Sequence, residues 1–106
     1  MRAEAQRPRG RLEPAGAGRY RLSGVVRLDS AAEVLALGVE AFAGQASVEV
    51  DLAGVSDADS AGLAVLIEWT RQLRLEGRTI MFRSMPPRLA GMARMGGVAA
   101  LLPTAD

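Results

Sequence analysis

Apolar residues recur along this chain in two rhythms, every second position in some stretches and every third or fourth in others, and each change of rhythm marks an element. Tyr20, Leu22 and Val26 alternate onto one face with Gly24 between them, which predicts a strand over Tyr20–Val26. Ser30-Ala31-Ala32-Glu33 has the form of a capping box, in which a hydroxyl and a carboxylate cover free N–H groups at a helix start. The helix it opens carries Leu35, Val39 and Phe42 on its expected apolar face, and Gly44 stops it. Ala46 to Leu52 predicts a second strand, with Val48, Val50 and Leu52 facing one way and Ser47, Glu49 and Asp51 the other. Gly54 and the polar run Ser56 to Ser60 read as a loop.

A long helix is expected from Ala61 to Glu76, with Gly77 as its C-terminal stop. Thr79 to Arg83 reads as a short strand. Pro86 and Pro87 open a last helix carrying Leu89, Met92 and Met95, ended by Gly96-Gly97, and an apolar segment Val98 to Leu102 closes at Pro103. Strands that alternate with helices predict an α/β domain with parallel strand pairs and right-handed crossovers. The expected size is four to five strands packed against three to four helices.

Residues 1–19 have a different composition. Five Arg against Glu4 and Glu13 give a local charge of +3, and Pro8, Gly10, Pro14, Gly16 and Gly18 break any helix. The expectation is a partly disordered basic tail, with an edge strand around Leu12 as an option; a basic arm for lipid headgroups or nucleic acid is the sharper reading. The aromatic interleaving of a single-strand binder is absent, so no nucleic-acid partner is expected. One domain then occupies 20–106.

Composition narrows the chemistry. With 106 residues and a hydrophobic fraction of 49%, the chain supports one globular core. It has no Cys and no His, and all 13 basic side chains are Arg. That excludes a thiolate nucleophile, a zinc cluster, imidazole acid–base work, a Schiff base and a phosphate-loop Lys. No enzymatic activity and no cofactor are expected. The N-terminus lacks the apolar stretch of a secretory signal, and the longest apolar run, Leu63 to Ile67, is far too short to span a bilayer. The expectation is a soluble, cytoplasmic protein.

The most chemical-looking stretch is Asp57-Ala58-Asp59-Ser60-Ala61-Gly62. Asp57, Asp59, Gly62 and Glu68 fall at calcium-loop spacing, but Ala61 offers no ligand where one is required and the preceding segment reads as a strand. An aspartyl-phosphate nucleophile would need a cation to screen the phosphate, and the chain has no Lys. Two readings stay open. Asp59 or Ser60 caps the helix, or Ser60, an exposed hydroxyl at a helix start, is a recognition or switch position whose phosphate Asp57 and Asp59 would repel.

Asp51-Leu52-Ala53-Gly54-Val55-Ser56-Asp57-Ala58-Asp59-Ser60-Ala61-Gly62-Leu63 resembles the central motif of STAS domains, an acidic-Leu strand end, a Val three residues on, and Asp-Ser/Thr-x-Gly-Leu opening a helix. The resemblance runs from about Tyr20 to Pro103 and implies a STAS-like fold, with Ser60 as the phosphorylated or partner-contacting hydroxyl. Two branches are consistent with it. Tyr20-Arg21-Leu22-Ser23-Gly24, Gly62-Leu63-Ala64-Val65-Leu66 and Ala99-Ala100-Leu101-Leu102-Pro103 look like the MlaB-type subunit of the Mla phospholipid-transport ABC complex. That branch implies a partner, the MlaF-type ATPase subunit and through it the permease, and a place at the cytoplasmic side of the inner membrane. The other branch is the anti-sigma-factor antagonist, with a kinase as partner; Ala61 departs from the second Ser of its usual motif.

Along the long helix Leu63, Leu66, Ile67 and Thr70 form the expected core stripe, and Val65, Trp69 and Leu73 widen it beyond what one sheet face needs. Trp69 is read either as core at the sheet edge or as a partner anchor. In the second case Ser60, Asp57, Asp59, Ala61, Gly62, Val65 and Trp69 form one docking surface, with Arg71, Gln72 and Arg74 as its rim.

Overall fold

The structure, a computed structural model, describes residues 9–105. Its strands are β1 (Arg11–Gly16), β2 (Arg19–Val26), β3 (Ser47–Ala58), β4 (Thr79–Arg83) and β5 (Thr104–Ala105). Its helices are α1 (Ala31–Ala41), α2 (Ser60–Leu75) and α3 (Pro87–Met95), followed by a 3-10 turn over Ala99–Leu101. The strands lie side by side in chain order in one mixed sheet, as β1 pairs antiparallel with β2 and all later neighbours pair in parallel. This is the α/β architecture that the alternation of rhythms predicts. Within the segment read as a tail, residues 1–8 lie outside the described part, whereas Arg11–Gly16 is the sheet's edge strand. The edge strand that the sequence offered around Leu12 as an option is thus present in that segment.

The register explains why one sheet face is apolar and the other charged. Tyr20, Val50 and Phe82 stand in one row across β2, β3 and β4, and all three are buried. The next row reads Glu13, Arg21, Asp51 and Arg83 across four strands, alternating in sign. Opposite charges on neighbouring strands attract, and an uncovered sheet face stays solvated this way. Glu49, two residues before Asp51 on the same face, accepts a hydrogen bond from Arg83 Nε.

Three sequence expectations shift. The buried positions of α1 are Val34 and Gly38, with Phe42 just past its end, whereas Val39 is half exposed. Ser30 does not act as a side-chain cap; its hydroxyl bonds within the turn that precedes α1, to the carbonyls of Val25 and Arg27. The polar run after Leu52 is not a loop. β3 continues to Ala58 along β2 through two register shifts, each giving β3 one extra residue. Beyond Asp51 this strand has β2 as a neighbour and β4 no longer, which is why its sequence can be polar.

The core closes around Trp69. Its ring is fully buried, stacks edge-on against Phe42 at 5.2 Å and donates Nε1–H to the Leu35 carbonyl at 3.1 Å. A Cβ on Gly38 would lie 2.3 Å from the ring, so α1 passes over it only because that position has no side chain. Trp69 is thus core, and the partner-anchor reading of it is corrected. The C-terminal end of α1 carries no basic residue of its own; Arg78 donates instead to the carbonyls of Phe42 and Gln45. Trp69→Ala is expected to cost about 3–5 kcal/mol in urea denaturation, and Gly38→Ala about 1–3 kcal/mol through overpacking. Near-wild-type midpoints for both would show that α1 does not rest on this ring.

Candidate docking site at the start of helix α2

Asp59 is the cap that the sequence left undecided between it and Ser60. Its backbone is extended, and its Oδ1 accepts N–H bonds from Ala61 at 2.9 Å and Gly62 at 3.1 Å. Its Oδ2 accepts the N–H of Leu28 at 3.0 Å, from the turn between β2 and α1. Desolvation pushes the Asp59 carboxyl up, but the N–H bonds from Gly62, Leu28 and Ala61, helped by the Arg27 charge, outweigh it and hold the group below its ordinary 3.8.

Asp57 sits at the end of β3 with its side chain only 13% exposed. Its Oδ2 lies 3.0 Å from Arg27 Nη1 and its Oδ1 lies 3.8 Å from Arg88 Nη1. Ser60 is exposed at the first position of α2. The expected picture of two bare acids beside that hydroxyl is therefore corrected: Asp57 faces two guanidinium groups and Asp59 is occupied by N–H donors. A charge added at Ser60 would find the N–H groups of residues 61 and 62 already taken. Calcium-loop spacing is not realised either, because Asp57 lies within β3 and the carboxylates turn to separate partners.

Gly62 sets how close this helix start comes to the sheet. A Cβ there would lie 2.4 Å from the Val26 carbonyl oxygen. Ala61 and the exposed Ala64 line a shallow groove of about 280 Å³ between α1 and α2, with Ala31, Ala32 and Leu35 opposite and Glu68 at one end. Val65 touches that groove but is buried, and Trp69 lies beneath it. So of the expected surface, Ser60, Ala61, Gly62, the capping Asp59 and the ion-paired Asp57 are brought together around one helix start, while Val65 and Trp69 belong to the core that supports it.

The structure adds a residue that the sequence reading passed over. Leu28 is 78% exposed. Its N–H is held by Asp59, so its backbone is fixed beside the α2 start while its side chain stays in solvent. The signal in the sequence was a lone Leu between Arg27 and Asp29, in a turn where polar residues are the rule.

Asp59→Ala should lower stability by about 0.5–2 kcal/mol through the lost cap. The folded carboxyl titrates below its ordinary value, so its contribution is present above about pH 4 and is lost as pH falls through the lower, folded value. Denaturation at pH 7 should separate variant from wild type, and the gap should narrow as pH falls below about 4. A gap that persists unchanged in acid would mean that the carboxylate is not what caps α2.

Comparison with known proteins agrees with this architecture. A family model described as the MlaB STAS domain matches residues 11–103. No curated protein matches the sequence. Among solved structures, the anti-sigma factor antagonist SpoIIAA in its unphosphorylated form is 15% identical, with a TM-score of 0.67 over 92% of this chain and 88% of that one. A variant of RsbS from Moorella thermoacetica is 16% identical, with a TM-score of 0.66 over 92% and 86%. The structure of the diguanylate cyclase SiaD in complex with its activator SiaC, from Pseudomonas aeruginosa, matches at 16% identity and a TM-score of 0.56 over 91% and 88%. At such identities these likenesses speak for the fold. The family model spans nearly all the described elements, from β1 to the end of the 3-10 turn, and this chain belongs to the STAS domain family.

Proposed function

We propose that this chain is a non-catalytic STAS subunit that docks on the cytoplasmic ATPase subunit of an Mla-type ABC transporter, stabilises or regulates it, and so serves phospholipid trafficking in the cell envelope. The observation that carries this reading is the match of residues 11–103 to the model described as the MlaB STAS domain. The α2 start supplies the surface: an exposed hydroxyl at Ser60, an exposed apolar side chain at Leu28, and the alanine-lined groove between α1 and α2. Around a central contact of that kind, a large apolar side chain carries binding and the small ones permit close approach. The chain has no Lys and no phosphate loop, so the nucleotide belongs to the partner. Among the described residues no helix is long and apolar enough to cross a membrane, so contact with the inner membrane runs through the partner.

A second reading has one observation in its favour. Ser60 is exposed and is the first residue of α2, where a kinase could reach it, as an anti-sigma-factor antagonist regulated by phosphorylation would require. Ala61 beside it departs from the Ser of that branch.

Co-purification from the native host, with the captured proteins identified by mass spectrometry, separates the two readings: an ABC ATPase with its permease selects the first, and a kinase with phosphate on Ser60 selects the second. Ser60→Glu and Leu28→Asp, both at exposed positions, should weaken ATPase binding by about tenfold or more, as expected for centrally placed contacts. Ser60→Thr keeps the hydroxyl and should bind within about threefold of wild type, a difference under 1 kcal/mol. If the Glu and Asp variants fold and bind like wild type, the docking face is elsewhere.

A further inference from the structure

The other end of α2 carries a second surface, independent of the α2 start. Ile67, Thr70 and Leu75, with the stems of Arg71 and Arg74, face Leu101 of the 3-10 turn across a trough of about 340 Å³. Leu75 is 73% exposed and Leu101 45% exposed, so two leucines form walls with nothing on them. Large apolar side chains paired around an open groove mark interaction sites more often than scattered single ones do. The polar rim has one sign. Arg71 is neutralised by Glu68, at 2.9 and 2.6 Å, but Arg74 has no ion-pair partner among the described residues. No carboxylate lines the trough.

We infer that this trough receives an amphipathic helix of a partner protein, with leucine-type anchors on its buried face and acidic residues on its flank. The geometry argues for a protein segment over a small amphiphile. The trough runs along Ile67 to Leu75, roughly 12 Å of helix at 1.5 Å per residue, which accommodates anchors spaced i, i+4 and i+7. It is open along that length, whereas sites for small ligands enclose most of their occupant. The unpaired Arg74 selects the sign of the flank, since a basic helix would place like charges together. The trough spans roughly 10 to 22 Å along α2 from Ser60. A partner at each end could be held at once, making the chain an adaptor between two proteins.

The test is NMR titration of the full-length protein with two synthetic helical peptides of about fourteen residues, identical except that one carries Glu and the other Lys beside leucines at i, i+4 and i+7. The Glu peptide should shift the amide signals of Ile67, Thr70, Leu75 and Leu101. Arg74→Glu and Leu101→Asp should each weaken it by about tenfold or more, and Leu75→Asp, at the exposed last position of α2, is the second apolar variant should Leu101→Asp fail to fold. Ser60→Glu should leave it unchanged, which keeps this result separate from that of ATPase docking. Equal binding of both peptides, no binding of either, or shifts confined to the groove beside Ser60 would overturn the inference. So would sedimentation of the protein with phosphatidylglycerol vesicles that Leu101→Asp abolishes, since the trough would then be a lipid site.

Discussion

The placement of Trp69 beneath Gly38 is the constraint on which the rest of this structure depends. The chain has four aromatic residues, and three of them, Tyr20, Phe42 and Trp69, form one edge-to-face series with centroid separations of 5.1 and 5.2 Å. The fourth, Phe82, is fully buried in the sheet. In a core otherwise made of aliphatic side chains, three of the four rings link β2, the end of α1 and α2. The Trp69 indole N–H, bonded to the Leu35 carbonyl, then fixes where along α1 the ring sits. Because α1 is fixed, so is the turn that leads into it, and that turn places Arg27 and Leu28 over the start of α2.

At that start a single carboxylate ties two parts of the chain together. Asp59 accepts N–H groups from its own helix and from the β2–α1 turn, so helix initiation and turn placement are one event. Asp57, one residue removed from it, is neutralised from the same turn by Arg27 and from the start of α3 by Arg88. The exposed groups there, Ser60 and Leu28, are therefore mounted on backbone held by the Asp59 carboxylate. On the proposed reading, a partner would meet a surface already arranged and lose little entropy in ordering it.

Much of this could be read from the chain. Period-two alternation placed β2, the first half of β3 and β4, and the glycine after α2 marked its end, because these signals depend on neighbours in sequence. Three features depend on partners distant in sequence, and they were not legible. Trp69 looked like surplus on a helix that seemed to face one sheet; the missing information was that α1 covers its other side at Gly38. The apolar face of α1 was read one position off, because Leu35 and Val39 are larger than the Val34 and Gly38 that actually face inward. The polar half of β3 read as a loop because bulges break its alternation and β4 no longer flanks it. For the site, Ser60 and its acids stood out by chemistry, whereas Leu28 showed itself only once the turn was tied to Asp59.

Gly62 shows how much of a recognition motif is architecture. The helix approaches the end of β2 so closely that a Cβ would meet the Val26 carbonyl oxygen at 2.4 Å. Any chain that launches a helix from this strand at this distance must place glycine there, whatever it goes on to bind. The motif therefore carries two messages in adjacent letters. Its glycine and capping acid spell the fold, and could be shared by proteins with nothing in common at the bench, while on the proposed reading the hydroxyl and the side chains standing outside the motif would spell the partner. A search tuned to the first message will recruit the whole family; telling its members apart requires reading the second, and part of that second message, at Leu28, is written more than thirty residues upstream of the motif's hydroxyl.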